Sequence, residues 1–368
     1  MSPMKFKTGI TALVLTAVIC CVLCPSCSKQ SAAMTYGKTE ITEGMYSYWL
    51  SVYKTNFVYT YGDGKDSSEF WEKTLPDGTT YASYAYEQIL RTIKFFAVGA
   101  ELFREYGLKI GTDVSKQIDS DIQEKLEYAG SRPALNSELA AFGLNIDGLK
   151  SVYIVEEKWQ AVYDYLYGEN GTEKLTDEDI DEYYRENFSC LGLIVVYTES
   201  RRVTNEDGTY VYDSEGNISV AELTLEEKEQ KQQKIAEITD KLDAGYDFAE
   251  LAAEYSEEDL SYYSSGCFVG ADNSNIYGTA LVGAAGEMKE GEVRRVDEDG
   301  ITYIAVKYVL PDRRNLQDSD KEQLESLEDW AVQKVYYDKF SELSKDVEIN
   351  EEVIAAHSIE SAPLNTYY

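Results

Sequence analysis

A chain of 368 residues, 43% of them hydrophobic, is long enough for two separately cored domains and too apolar to be disordered throughout. Its formal charge of -33 argues against nucleic acid as a partner and against a polybasic attachment to anionic lipid. No paired CxxC, HExxH, calcium-loop, Walker or dinucleotide glycine pattern occurs, so the sequence calls for neither a metal nor a cofactor.

The first residues read as a targeting segment. Lys5 and Lys7 precede an apolar run over 10–23 that is too short to span a bilayer as a helix. Cys20, Cys21, Cys24 and Cys27 follow closely, and the composition turns polar at Ser28. This pattern resembles a bacterial lipoprotein signal over residues 1–26, with Cys27 as the lipidated first residue of the mature chain. Small Ser26 precedes Cys27, but Cys24 stands where leucine is usual, so Cys24 and Cys21 remain alternative acceptors. The resemblance implies an extracytoplasmic protein anchored by lipid to the bacterial cell membrane; a plain secreted form is the alternative.

Residues 34–187 read as mostly helical. Ile41 sits in a short extended piece, after which Met45, Trp49 and Val52 recur at helical spacing and a Gly/Asp/Ser-rich loop covers 62–78. The strongest helix starts near Ser83, where Ile89, Ile93, Phe96, Ala100 and Phe103 make one apolar face, and Gly107 stops it. Val114, Ile118 and Ile122 mark another helix, 136–142 a short one closed by Gly143, and 147–167 a long one. Thr176 and Asp179 read as a capping box opening a helix to Asn187.

Residues 190–197 (CLGLIVVY) form an apolar, β-branched run, the pattern of a buried strand. Within 198–223, residues 209–213 alternate between glycine-bearing turns and suggest an inserted hairpin. A helix with Ile235, Ile238 and Leu242 on one side follows; Asp247 and Glu250 form a capping box for the next, which buries Phe248 and Leu251. Cys190 and Cys267 are able to pair or to stay as buried thiols, and spacing does not choose between them.

The stretch 188–312 is similar to a parvulin-type (PpiC, rotamase) prolyl isomerase domain. The resemblance is carried by 242–256 (LDAGYDFAELAAEYS), 266–270 (GCFVG), 288–293 (MKEGEV) and 300–307 (GITYIAVK). The helical part, through 105–109 (EYGLK), 139–150 (LAAFGLNIDGLK) and 177–187, resembles the N-terminal chaperone domain of SurA- and PrsA-type foldases. In the parvulin family the first strand supplies a histidine in an Arg-His-Ile-Leu-like context. Matching its apolar tail to Leu193-Ile194-Val195 puts Gly192 at the histidine. The second histidine falls on Thr302 counted from Gly300, or on Ile304 counted back from Lys307. The resemblance further implies Asp259 or Glu258 as the acid facing substrate, and Tyr277, Leu281 and Gly286 at the proline-pocket positions. The single histidine of the chain, His357, lies in a polar tail where a solvated surface residue is expected.

From Ser319 to Lys345 one long helix is expected, with Val332, Tyr336, Phe340 and Leu343 on its apolar face. The resemblance implies that the C-terminal segment 313–346 completes the helical domain, leaving 347–368 as a loosely held tail. The expected fold is therefore α+β: a helical chaperone-like domain with a parvulin-like domain, a four-stranded antiparallel sheet plus helices, inserted in it. The implied function is a folding factor that binds unfolded or newly secreted polypeptides and whose isomerase centre is degenerate. An active isomerase with an atypical site and a structural or adhesive surface lipoprotein are the alternatives.

Overall fold

The computed structural model describes residues 31–75, 77–205, 207, 209–213 and 216–365, so the signal segment and Cys27 lie outside the described residues. Contacts divide the chain into two compact units, one built from both ends (to Leu166, and again from Lys339) and one from Tyr167–Asp338. Among the described residues no helix is long and apolar enough to cross a membrane.

The first unit opens with a hairpin, β1 (Ala32–Tyr36) and β2 (Thr39–Thr42), turned at Gly37 with φ 57°. Glu101, almost fully buried, takes the Lys38 N–H at 3.1 Å and the Thr39 hydroxyl at 2.9 Å and so ties this turn down. The Arg104 guanidinium bonded to it holds the Glu101 carboxyl down at about 2. Helices α1 (Glu43–Tyr61), α2 (Ser68–Glu72), α3 (Tyr81–Glu105), α4 (Thr112–Ala129), α5 (Arg132–Leu139) and α6 (Ile146–Tyr167) follow. The α3 face from Ile89 to Phe103 is buried as its periodicity requires. Trp49 of α1 packs on Phe96 of α3 at 4.9 Å, and Phe96 on Trp159 of α6 at 5.4 Å. Gly99 lets α6 come that close, since a Cβ there would sit 2.9 Å from the Trp159 Cα.

In the second unit α7 (Asp177–Asn187) begins with the expected capping box of Thr176 and Asp179 and runs straight into β3 (Phe188–Tyr197). The inserted segment is a hairpin of β4 (Ser200–Arg202) with β5 (Val220–Glu222). Helices α8 (Leu225–Asp243) and α9 (Phe248–Tyr255) come next, and Asp247 accepts the Glu250 N–H at 3.0 Å, one arm of the expected box. Then come β6 (Cys267–Gly270), α10 (Ser274–Tyr277), α11 (Thr279–Glu287), β7 (Val293–Glu298) and β8 (Ile301–Tyr308). The sheet is four-stranded and antiparallel in the order β6-β3-β8-β7, so the α+β reading holds.

Both faces of β3 are covered. Leu191, Leu193 and Val195 pack toward α11, whereas Ile194 and Val196 pack on α8 and α9. Register decides the cysteine question: Cys190 pairs with Phe268 and Leu191 with Cys267. The two thiols therefore leave opposite faces of the sheet, and both are free and buried.

The C-terminal segment departs from expectation. In place of one helix over 319–345 there are α12 (Asp318–Glu322) and α13 (Leu327–Leu343). Leu316, Leu324, Leu327 and Ala331 pack with Ile180, Tyr184 and Phe188 inside the second unit. Only from Lys339 onward does the chain belong to the first unit, where Phe340 meets Phe95 at 5.6 Å. The expected loose tail is a working part of that unit. β9 (Glu348–Ile349) pairs with β1, and α14 (Glu351–Ala355) buries Val353 and Ile354. Beyond α14, Lys54 of α1 donates to the carbonyls of Glu360 at 3.0 Å and Ala362 at 2.7 Å while pairing with Asp66 at 2.8 Å. His357 is not a solvated surface residue either: its Nε2 lies 3.1 Å from Glu43.

Candidate functional site

Side chains alternate across a sheet, so strand parity decides which expected site residues meet. Leu281 is wholly buried on the α11 side, with Tyr277 packed against the same cluster. Ile304 is buried on the opposite side with Ile194 and Val196, against α8 and α9. Thr302 shares its parity and gives its hydroxyl to Asp297, and Gly192 is aligned with both. The structure thus separates Gly192, Thr302 and Ile304 from Tyr277 and Leu281 by the thickness of the sheet. The side chains of β3 and β8 that do face Leu281 are Leu193, Val195, Tyr303 and Ala305. Gly286 is exposed, and a Cβ there would meet nothing within 4 Å, so it walls no pocket.

Gly192 has a local reason to be glycine. Tyr308 lies across the strand there, and a Cβ at residue 192 would stand 2.5 Å from the Tyr308 hydroxyl oxygen. Beside it opens a cavity of about 800 Å³, along the β3 edge where β6 ends. Leu191, Gly192 and Leu193 form its floor, Phe248 and Ala252 of α9 one wall, and Tyr263 another. Gly192, Asp259 and the alternative acid Glu258 are the residues, among those singled out as catalytic or substrate-binding, that reach this cavity.

Charge is concentrated on its rim. Asp259 is exposed and accepts both the Ser261 N–H at 3.1 Å and the Ser261 hydroxyl at 2.5 Å, which hold its carboxyl below the usual range. Glu258, the alternative acid, is occupied by the Tyr197 hydroxyl and the Arg202 guanidinium. Burial, and then the Glu258 charge, push the Tyr197 hydroxyl up to about 12. Burial opposes ionisation of Glu257, but Lys231 at 2.5 Å, Lys234 at 2.8 Å and the Tyr197 N–H overcome it and leave the carboxyl lowered.

The loop that closes the cavity is held by residues the sequence did not single out. Asp320, with no exposed surface, accepts the hydroxyls of Ser264 (2.8 Å) and Ser265 (2.7 Å) and the Ser265 N–H (3.2 Å). The Gln323 side chain accepts the Phe268 N–H at 3.0 Å and donates to the Gly266 carbonyl at 2.9 Å, so it stands in for a neighbouring strand. Each partner lies more than 50 positions away, so no local pattern signals either contact. Among the described residues no three His, Cys, Asp or Glu side chains are grouped to hold a metal ion. The cavity offers an apolar floor, one solvated carboxylate and backbone polar groups, which suit holding a chain better than acid–base work.

Residues 218–307 match the rotamase family, described as the PPIC-type PPIASE domain. The matched span begins two residues before β5 and ends in β8, so β3 joins it through its pairing with β8. Among solved structures the chain is similar to PrsA from Bacillus subtilis, at 18% identity over 79% of this chain and 93% of that one, with a TM-score of 0.22. A peptidylprolyl isomerase (PrsA) from Bacillus cereus aligns at 16% identity over 77% and 94% of the two chains, with a TM-score of 0.29. The foldase protein PrsA of Streptococcus pneumoniae strain Canada MDR_19A gives 16%, 77%, 97% and 0.25 in the same terms. Comparison with curated proteins found no match.

Proposed function

With a parvulin-type rotamase domain as the premise, we propose that this chain is an extracytoplasmic folding factor, lipid-anchored through Cys27, that holds unfolded or newly secreted polypeptides. In this reading its prolyl isomerase activity is weak or lost. One observation carries it: the only histidine, His357, is engaged with Glu43 in the other unit, and the sheet face toward Leu281 is filled by Leu193, Val195, Tyr303 and Ala305. Twisting a prolyl amide means lowering a barrier of about 18–20 kcal/mol, and a largely apolar wall aims few polar groups at the twisting carbonyl. The cavity at the β3 edge keeps what binding needs, an apolar floor and a charged rim.

The test is cis–trans exchange of Xaa-Pro peptides followed by NMR with and without the full chain, beside an aggregation assay on a model unfolded protein. Suppressed aggregation without faster exchange is the expected result. Strong acceleration would remove the degenerate-site reading, and a failure to suppress aggregation would remove the holding role. A second reading, an isomerase with an unusual centre, draws on Asp259: its ionised carboxylate sits on the cavity rim near Leu193. That reading requires Asp259→Asn to abolish exchange catalysis.

A further inference from the structure

The edge of β3 that faces the cavity has a gap in its hydrogen bonding at Leu193. On an antiparallel strand the N–H and C=O of alternate residues point to the same side. On the side away from β8, Ser189 and Leu191 are paired with Val269 and Cys267 of β6. Val195 is served by the loop after α9: its N–H meets the Ser256 hydroxyl at 3.1 Å and its carbonyl takes the Glu257 N–H at 2.8 Å. The Tyr197 N–H donates to the Glu257 carboxylate at 3.0 Å. Leu193, between these satisfied neighbours, has no backbone partner on that side among the described residues. Leu193 is 4% exposed and lines the cavity.

Buried backbone groups left unpaired are rare in folded proteins, because each costs about 1–3 kcal/mol in lost hydration. The groups most often able to answer both an N–H and a C=O of one strand residue belong to one residue of another extended chain. From Leu191 to Val195 the strand advances roughly 13 Å, enough for a peptide residue and its two flanking amides to cross the gap. At the rim Asp259 is ionised and exposed, and no cation stands within ion-pair distance of it among the described residues.

We infer that the open edge at Leu193 docks an extended polypeptide segment with a basic side chain, which pairs its backbone with Leu193 and its cation with Asp259. This rests on the reading that the chain holds polypeptides, and it names where and by what chemistry. Recognition through backbone groups is indifferent to most side chains, which fits varied clients. The preference for lysine or arginine gives the selectivity that remains.

The probes are Ac-Val-Lys-Val-Lys-Val-NH2 and its counterpart N-methylated on the central valine, titrated into the 15N-labelled full chain. In the free protein the Leu193 amide exchanges faster than those of Leu191 and Val195. Binding of the first peptide slows it at least tenfold, and the methylated peptide binds at least tenfold more weakly. Asp259→Asn weakens binding several-fold and flattens its salt dependence, and Ala253→Trp, placed at an exposed position on the cavity wall, blocks it. The inference is overturned if the peptide binds without slowing Leu193 exchange or if both peptides bind equally. It is also overturned if neither binds because water alone serves the gap. If aggregation suppression survives any of these results, the holding role stands and only the docking edge falls. If suppression is lost in the wild-type chain, both fall.

Discussion

Replacing Lys54 by methionine tests whether the C-terminal segment is a structural part of the first unit. The Lys54 ammonium has no exposed surface and is surrounded by the Asp66 carboxylate, the carbonyls of Glu360 and Ala362, and the Trp71 ring at 5.7 Å. Lys54→Met keeps the volume of the stem and deletes every one of these bonds. Asp66 retains 28% side-chain exposure and the Trp71 indole N–H at 2.7 Å, so its loss is softened by water. The two carbonyls each lose a charged partner in a part-buried setting, and each lost partner costs about 1–3 kcal/mol. The expected loss is therefore about 2–5 kcal/mol, in line with breaking one side of a buried ion pair. Against a typical total of about 5–15 kcal/mol that is a large fraction. Urea unfolding followed by tryptophan fluorescence reads it, since Trp49, Trp71 and Trp159 of the four tryptophans belong to the first unit. Carboxypeptidase digestion of the last residues should accelerate in parallel. Ser51→Ala, which removes only the bond to the Pro363 carbonyl (2.7 Å), is the control and costs about 1 kcal/mol. A Lys54→Met chain within about 1 kcal/mol of wild type, with its end still resistant to digestion, would refute the account.

Burial raises the Glu156 carboxyl to about 7, against the opposing bond from the Trp49 indole at 2.6 Å. The folded state thus holds a proton that the unfolded chain releases near pH 4.3, so this stability is fully present below that pH and is lost as pH rises to about 7. Glu156→Gln should remove about 1–3 kcal/mol of that dependence and be the more stable form at pH 8, as denaturant titrations at several pH values would show. Burial pushes the Cys190 and Cys267 thiols up to about 12 and about 11, so a disulfide reagent at pH 8 should react with them only after unfolding. Gly192→Ala should cost about 1–3 kcal/mol by driving Tyr308 from its place, measured by thermal unfolding. Gly192→His should not raise exchange of Xaa-Pro peptides, because that position faces away from Leu281.

Much of the fold could be read directly. The α3 stripe, the Thr176 cap and the Gly143 stop follow from periodicity and end signals, and the antiparallel sheet from the resemblance to the parvulin family. The site resisted for a physical reason. A strand covered on both faces carries no apolar–polar alternation, and residues 190–197 are apolar almost throughout. Nothing in such a run says which parity faces α11, and Gly192 and Ile304 lie on the face opposite Leu281. The C-terminal segment misled in the opposite way. Its polar composition suggested solvent, yet its backbone is satisfied by Lys54, Ser51 and Thr55 inside the first unit. Asp320 and Gln323 act on backbone groups far away in the chain, a relation that spacing does not encode.

The pairing of Met34 with Ile349 joins the two ends of the first unit across more than three hundred positions, whereas the second unit is one continuous stretch. A chain emerging from the ribosome therefore meets its two units in an order unlike that of its sequence. The rotamase-bearing stretch can close as soon as its own last helix appears. The helical unit, begun first, waits with an unfinished sheet and an unfilled Lys54 cradle until the final residues arrive. A stalled or clipped product would carry a finished second unit beside a first unit with open edges, itself a client for the kind of holding proposed here.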